Sequence, residues 1–136
     1  MNPSTRDALL KLTTNLPNGA ASVTSNALDL GVSSNGQFLA QCELLVSAPI
    51  LNATQQPDAK TMTYFIIESD NADLSSPVVV ARLDKLTQTG AGGVGAAAVT
   101  QRYRIPTNAK RYLGVKATGS ASGNASTASF TAELLF

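Results

Sequence analysis

The sequence has 136 residues, a formal net charge of +1 and no histidine. A chain of this length is expected to fold as one domain with a sizeable buried core. The missing histidine excludes Ser-His-Asp and Cys-His catalysis and histidine metal sites. The near-zero net charge gives no general reason to expect nucleic acid binding, and no apolar run approaches the ~20 residues of a membrane span.

The first residues differ in pattern from the rest of the chain. Ser4 has the character of a helix N-cap, and Pro17-Asn18-Gly19 reads as a turn. We therefore predict an N-terminal arm over residues 1–21 with at most one or two helical turns. The apolar run over 8–10 is too short for a secretion signal, so we expect a protein that is not secreted. One turn cannot bury the arm's leucines, which we assign to association between subunits: Leu9, Leu10 and Leu12.

Residues 22–136 alternate between apolar and polar side chains, the period of half-buried strands. Polar or glycine-rich turns separate the alternating segments, and no long helical pattern occurs. The pattern predicts a single all-β domain over 22–136, an antiparallel β-sandwich of the jelly-roll type. The predicted strands span 22–30, 38–46, 61–68, 78–86, 99–105, 111–118 and 129–136.

The predicted strands also place individual side chains. Cys42 shares an alternating face with Phe38 and Leu44, which predicts a buried, unreactive thiol. The tyrosines are expected at the edge of the core with their hydroxyls reaching water. They are Tyr64, Tyr103 and Tyr112.

The segment GAGGVG, residues 90–95, matches the G-x-G-x-x-G fingerprint of dinucleotide binding. That fingerprint functions where it follows a strand and opens a helix, with an acidic residue about 20 positions later. Here strand-like alternation and Pro106 follow it, and no Asp or Glu occurs between Asp84 and Glu133. We therefore predict a loop between strands that binds no nucleotide and is among the most mobile segments.

Two sets of acidic residues could bind a cation or act in catalysis. The cluster at 68–73 suggests a calcium site, but it lacks the D-x-[DN]-x-[DN]-G loop, and Asp and Asn are ordinary turn residues. Glu43, Glu68 and Glu133 could supply the carboxylate pair of a glycosidase. A chain without tryptophan lacks the usual aromatic sugar platforms. We predict no enzymatic activity and no cofactor, and the cation question stays open.

Charge is unevenly distributed along the chain. Residues 1–84 contain eight acids and four bases, a balance of −4, whereas residues 85–136 contain six bases and one acid, a balance of +5. One interpretation is a solvated strand face. The other is a docking surface for an acidic partner. The candidate residues are Arg102, Arg104, Lys110, Arg111 and Lys116.

The order of these segments resembles that of the small jelly-roll capsid cement (decoration) proteins of tailed bacteriophages. The likeness covers nearly the whole chain, and its most specific parts are Asp29-Leu30-Gly31 and Arg111-Tyr112-Leu113. The matching segments are DAL at 7–9, VTSNALDLG at 23–31, ESDN at 68–71, the glycine loop at 90–95, RYRIP at 102–106, KRYLGVKATG at 110–119 and ASFTAEL at 128–134.

The resemblance implies a non-enzymatic virion protein that assembles, usually as trimers, on the outside of a completed head. The implied partners are the major capsid protein and further copies of this chain, with no role for nucleic acid or membrane. The implied location is the capsid exterior, after synthesis in the host cytoplasm. The alternative is a carbohydrate- or receptor-binding module of a phage fibre or head appendage, because such modules use the same frame.

Overall fold

A computed structural model describes residues 10–30, 42–80, 85–106, 108–120 and 123–135. Strands account for the regular structure of these residues, apart from a short helical turn at Leu10. In chain order they are β1 (Lys11–Asn15), β2 (Ser22–Thr24), β3 (Leu28–Asp29), β4 (Glu43–Ala48), β5 (Thr61–Ser69), β6 (Val78–Val79), β7 (Leu86–Thr89), β8 (Val99–Arg104), β9 (Tyr112–Gly119) and β10 (Ser129–Leu135).

The strands form two antiparallel sheets. The first sheet has the order β1-β10-β4-β8. In the second sheet β9 and β5 lie side by side, β2 and β3 pair in succession with β9, and β6 and β7 pair in succession with β5. Counting each of those successive pairs as one position gives the orders 1-8-3-6 and 2-7-4-5. This is the connectivity of a jelly roll, and the predicted fold class is confirmed.

The core lies between the two sheets. Alternate residues of β4, β9 and β10 point inward and are fully or almost fully buried, as period-2 side-chain geometry requires. At the centre, the rings of Tyr64 and Phe130 pack edge to face with their centroids 5.6 Å apart. Cys42 is fully buried, as predicted, and burial together with the neighbouring charge of Glu43 raises the pKa of its thiol to about 11.

A buried polar network crosses this apolar core. The Tyr64 hydroxyl donates a 2.7 Å hydrogen bond to Oε1 of Gln88. The Gln88 amide nitrogen donates to the carbonyls of Pro49 and Ala97, at 2.8 and 2.9 Å. Gln88 therefore joins β5 and β7 to the loops that follow β4 and precede β8. The prediction that the Tyr64 hydroxyl reaches water is wrong, and burial raises its pKa well above the usual range.

The described part of the predicted arm, residues 10–21, belongs to the sandwich and is not a separate arm. Lys11–Asn15 is a strand paired along its whole length with β10. Leu12 and Leu16 are buried in the core, and Leu10 packs against it, so Leu10 and Leu12 are not exposed association residues. Leu9 lies outside the described residues. Pairing with β10 makes β1 a strand of the first sheet. The leucines on its inner side therefore lie in the core between the two sheets.

Two predicted strands are interrupted. Residues 22–30 form two separate strands, β2 and β3. Between them the Val115 amide donates its hydrogen bond to the Ser25 hydroxyl, at 3.0 Å, and not to a backbone carbonyl, which interrupts the strand pairing. The predicted strand at 78–86 is described at 78–80 and 85–86, and neither Val80 nor Lys85 belongs to a strand. Instead, Val78–Val79 and Leu86–Thr89 pair with opposite ends of β5. The predicted strand at 38–46 is described only from residue 42, and β4 begins at Glu43.

The glycine-rich loop at 90–95 is a hydrogen-bonded turn. Its Gly93 amide donates to the carboxylate of Asp58 at 2.9 Å. Gly92, Gly93 and Gly95 all have positive φ, and a Cβ at Gly95 would overlap the Leu51 carbonyl. Left-handed backbone and close chain approach are two properties that glycine supplies. Its predicted mobility remains a prediction.

Deleting residues 1–17 is expected to prevent cooperative folding. The cut removes β1 together with Leu12 and Leu16. Each buried leucine is worth about 2–5 kcal/mol, against a typical domain stability of about 5–15 kcal/mol. Circular dichroism during heating checks this. A deletion of residues 1–9, which keeps β1, is the matched control and should still unfold in a cooperative transition. A cooperative transition in the longer deletion would show that β1 is dispensable.

Tyr64→Phe is expected to destabilise the fold by about 1–3 kcal/mol, because it leaves the buried Oε1 of Gln88 without its donor. Urea denaturation measures the change. Tyr112→Phe is the control, since the Tyr112 hydroxyl has no hydrogen bond within the described part of the chain, and its effect should stay within about 0.5 kcal/mol. Equal effects of the two variants would contradict a special role for the Tyr64–Gln88 bond.

Candidate functional site

The basic residues on β8 point away from the core. Arg102 and Arg104 alternate with the buried Tyr103 and Ile105, so both side chains leave the outer face of the first sheet. Arg102 lies 3.6 Å from the Glu43 carboxylate, and 67% of its side chain is exposed. Arg104 forms no ion pair with the described residues. These two cations are available to a partner.

Lys110 and Arg111, by contrast, are tied to carboxylates of this chain. The Lys110 ammonium lies 2.8 Å from Asp70, and its backbone amide donates to Glu68 at 3.1 Å. Arg111 donates two parallel hydrogen bonds of 2.9 Å to Asp29. These carboxylates raise the pKa values of Lys110 and Arg111, chiefly through side-chain hydrogen bonds with Asp70 and Asp29 respectively.

Lys116 completes the basic set and lies elsewhere. It sits on β9 between the buried Val115 and Ala117, so it points out of the second sheet. The five basic residues therefore do not form one surface. Arg102 and Arg104 share the outer face of the first sheet, Lys110 and Arg111 are paired charges just before β9, and Lys116 faces the opposite side of the sandwich.

The carboxylates of residues 68–73 are occupied by protein donors. Glu68 and Asp70 contact Lys110, and Asp73 accepts a 2.9 Å hydrogen bond from the Ser75 amide, which lowers the pKa of its carboxyl. No three acidic or cysteine side chains converge into a possible metal site in the ranges that the structure describes. The three glutamates that could supply a glycosidase pair lie on different sheets. Glu43 and Glu133 are on the first sheet, and Glu68 is on the second.

An open groove of about 350 Å³ lies on the outer face of the second sheet. One wall is the connection between β2 and β3, where the Ser25 hydroxyl is fixed by Val115 and by the Asn26 carbonyl. The other wall is the loop after β5. The groove is lined by Ser25, Asn26, Ala27, Asp29, Ala72, Asp73 and Tyr112.

The loop after β5 is anchored by an unusual residue. Leu74 has a φ of 56°, a left-handed backbone conformation that leucine adopts only at a cost. Its side chain is buried over Gly114, where an added Cβ would overlap it. Leu74 and Ile67 thus form a small apolar cluster on the outer side of the second sheet, and this cluster holds Ala72 and Asp73 beside the groove.

The floor of the groove includes Asp29 and Tyr112. Asp29 and Tyr112 are directly opposite each other on β3 and β9. Asp29 holds Arg111 in bidentate geometry, and the Arg111 guanidinium lies 5.0 Å from the centre of the Tyr112 ring. These contacts fix a carboxylate and an aromatic ring beside each other in an accessible cleft, an arrangement that suits ligand binding.

The sequence analysis identified Arg111 but missed Asp29, Asn26 and Tyr112 as site residues. The pairing of β3 with β9 brings Asp29 next to Tyr112, and these residues are 83 positions apart in the numbering. The only available sequence signal was that Asp29 and Arg111 both belong to the most specific segments of the resemblance.

Several solved structures are similar to this chain at low identity. The empty particle of cowpea mosaic virus matches with a TM-score of 0.48 and 7% identity, covering 93% of this chain and 78% of that chain. A family 16 carbohydrate-binding module gives 0.40 and 10%, covering 88% and 73%. The family 32 carbohydrate-binding module of AlyQ, in complex with 4,5-unsaturated mannuronic acid, gives 0.35 and 17%, covering 98% and 90%.

No protein-family model and no curated protein matches the sequence. At these TM-scores and identities the structural likenesses carry no conclusion about what this chain binds. In the described part of the chain, no helix has the length and apolar character of a membrane span.

Arg111→Lys is expected to lower the melting temperature and to alter the environment of Tyr112. Lysine keeps the charge but cannot form the two parallel bonds to Asp29, nor can it stack a planar group on the ring. Arg104→Lys is the matched control and should leave the melting temperature unchanged. Thermal melts and the NMR signals of the Tyr112 ring report the two effects. An Arg111→Lys protein indistinguishable from the control would show that the pair contributes nothing.

Proposed function

We propose that this chain is a non-enzymatic virion structural protein that binds the outside of an assembled phage capsid and stabilises it as a cement protein. One observation supports this best. The two most specific segments of the resemblance meet in space, with Leu28 opposite Leu113, Asp29 opposite Tyr112, and Arg111 bound to Asp29. If this chain shares the layout of the cement proteins, its two most specific segments are expected to lie in contact although they are distant in sequence.

The frame is suited to such a role. A cement protein must keep its shape while its surface contacts coat subunits, and rigid binding surfaces lose little entropy on association. Here the loops at one end of the sandwich are fixed by the Gln88 amide, and the turn at 90–95 is fixed by Asp58. The β1 strand closes the edge of β10.

We assign the coat-binding surface to the outer face of β8. Arg102 is largely exposed and makes a single, long contact of 3.6 Å with Glu43, and Arg104 forms no ion pair within the described residues, so both side chains can reach an acidic coat surface. Lys110 and Arg111 are unsuited to this role because Asp70 and Asp29 already neutralise them. Among the described strands β8 pairs only with β4, so it is an edge strand whose backbone can meet a partner.

We further propose that the protein acts as a homotrimer. Three equivalent contacts on one shell raise the apparent affinity by roughly 10²–10⁴ over a single contact, provided that all three can engage together. Closed cyclic symmetry is the usual way to arrange such copies.

The double variant Arg102→Ser and Arg104→Ser tests the assigned surface. Exposed charges act mainly on the rate of association, so binding to shells of the coat protein encoded by the same genome should slow by roughly tenfold at low salt. Its dependence on salt should also flatten, because fewer charges are left to screen. Stopped-flow or surface-based kinetics gives the rates, and sedimentation gives the mass of the free protein.

Lys116→Ser removes a charge from the opposite face and is the matched control, which should bind at the original rate. The double variant should also melt within a few degrees of the unaltered protein. Unchanged kinetics in the double variant would make β8 an ordinary solvated face. Failure of the unaltered protein to bind shells at all would overturn the proposed function, and a monomeric mass would overturn the trimer.

A further inference from the structure

We propose that the groove between the β2–β3 connection and the loop after β5 binds a neutral saccharide. This inference does not depend on capsid binding, since the groove lies on the outer face of the second sheet and the assigned coat-binding surface lies on the first. Its volume of about 350 Å³ falls within the range of small-molecule sites. It has room for a monosaccharide or for the end of a short glycan.

The lining excludes anionic ligands. Its charged side chains, among the described residues, are the carboxylates of Asp73 and of Asp29, and Asp29 is paired with Arg111. The hydrogen bond from the Ser75 amide lowers the pKa of Asp73, so this carboxyl is ionised at neutral pH. A phosphate, sulfate or carboxylate ligand would therefore meet the negative charge of Asp73 at short range.

A cationic ligand is also disfavoured. The charge of Asp29 is already neutralised by Arg111, which holds both of its oxygens at 2.9 Å. An incoming ammonium or guanidinium group would have to compete with this bidentate pair.

A sugar ring matches the remaining chemistry. Its hydroxyls can donate hydrogen bonds to the Asp73 carboxylate, and the Asn26 amide can both donate and accept. The Tyr112 ring supplies apolar surface for the C–H face of a sugar and carries a polar hydroxyl at its tip. Ala27 and Ala72 keep both walls low, so that a ring can enter between them.

Preorganisation strengthens the assignment. Asp29 is held by Arg111, Ser25 by the Val115 amide, and Asp73 by the Ser75 amide. The wall that contains Asp73 is anchored by Leu74 in its left-handed conformation. Groups already fixed in place lose little freedom when a ligand binds.

NMR titration of the isotope-labelled protein with methyl glucoside, methyl galactoside, methyl mannoside and methyl N-acetylglucosaminide tests the proposal. At least one glycoside should produce saturable shifts at the amides of residues 26–29, 72–73 and 112, with a dissociation constant in the millimolar range. Asn26→Ala and Asp73→Asn should each weaken binding about fivefold, the value of one hydrogen bond. Asp73→Asn keeps an oxygen for the Ser75 amide and so preserves the loop.

Lys116→Ser, on the same sheet but outside the lining, should bind the glycoside as the unaltered protein does. Tyr112→Leu should abolish binding, and if that variant does not fold, the other two still decide the question. No saturable shift with any glycoside up to tens of millimolar would overturn the proposal. So would binding that Asn26→Ala and Asp73→Asn leave unchanged, or saturation by lysine methyl ester in place of the glycosides. Both groove variants should still bind capsid shells.

Discussion

The structure depends on a single buried amide. Gln88 accepts from the Tyr64 hydroxyl and donates to the carbonyls of Pro49 and Ala97, so one side chain joins two strands of the second sheet to two loops. Because the surroundings are apolar, an unpaired member of this network would cost about 1–3 kcal/mol, and the strand register that pairs them is favoured by that amount. The network therefore fixes the positions of two loops, the one that follows β4 and the one that precedes β8. It also explains how a chain with few charges and few aromatic residues specifies a unique core.

The two ends of β5 have different tasks. At the Met62 end, Gln88 and the glycine turn fix the loops that close the sandwich. At the Ser69 end, β5 meets the start of β9, and the groove with Asp29 and Tyr112 lies beside it. Outside the core, charge is also divided. Paired charges lie around the groove. On the other sheet lie the weakly paired Arg102 and Arg104, which has no ion pair among the described residues. One face is therefore suited to a neutral ligand and the other to an acidic protein.

Local alternation was sufficient for the strands that are buried on one side. The predicted segments at 61–68, 111–118 and 129–136 match β5, β9 and β10 to within one residue at each end. It was insufficient for β1, whose leucines lie beside a helix-like run and a proline, so that only pairing with β10 reveals the strand. It was also insufficient for Tyr64. Its hydroxyl is buried because Gln88 provides an acceptor 24 residues away, and alternation says nothing about such a partner.

The groove could not be predicted for a related reason. Its lining comes from β3, β9 and two connections, and the conformations of Ser25 and Leu74 that shape its walls depend on contacts with β9. The basic residues illustrate the same limit. The sequence has Arg102, Arg104, Lys110, Arg111 and Lys116 in one short span. The fold distributes them over two sheets and pairs three of them with acids from distant segments.

Cryo-electron microscopy of shells assembled from the coat protein of the same genome, with and without this chain, tests the proposed role most directly. Binding as a cement protein predicts added jelly-roll density on the outer surface of the shell, with β8 and its two arginines against the coat and the groove facing away from it. Shells without added outer density would contradict the proposed role. Density attached through the second sheet would contradict the assignment of the two faces.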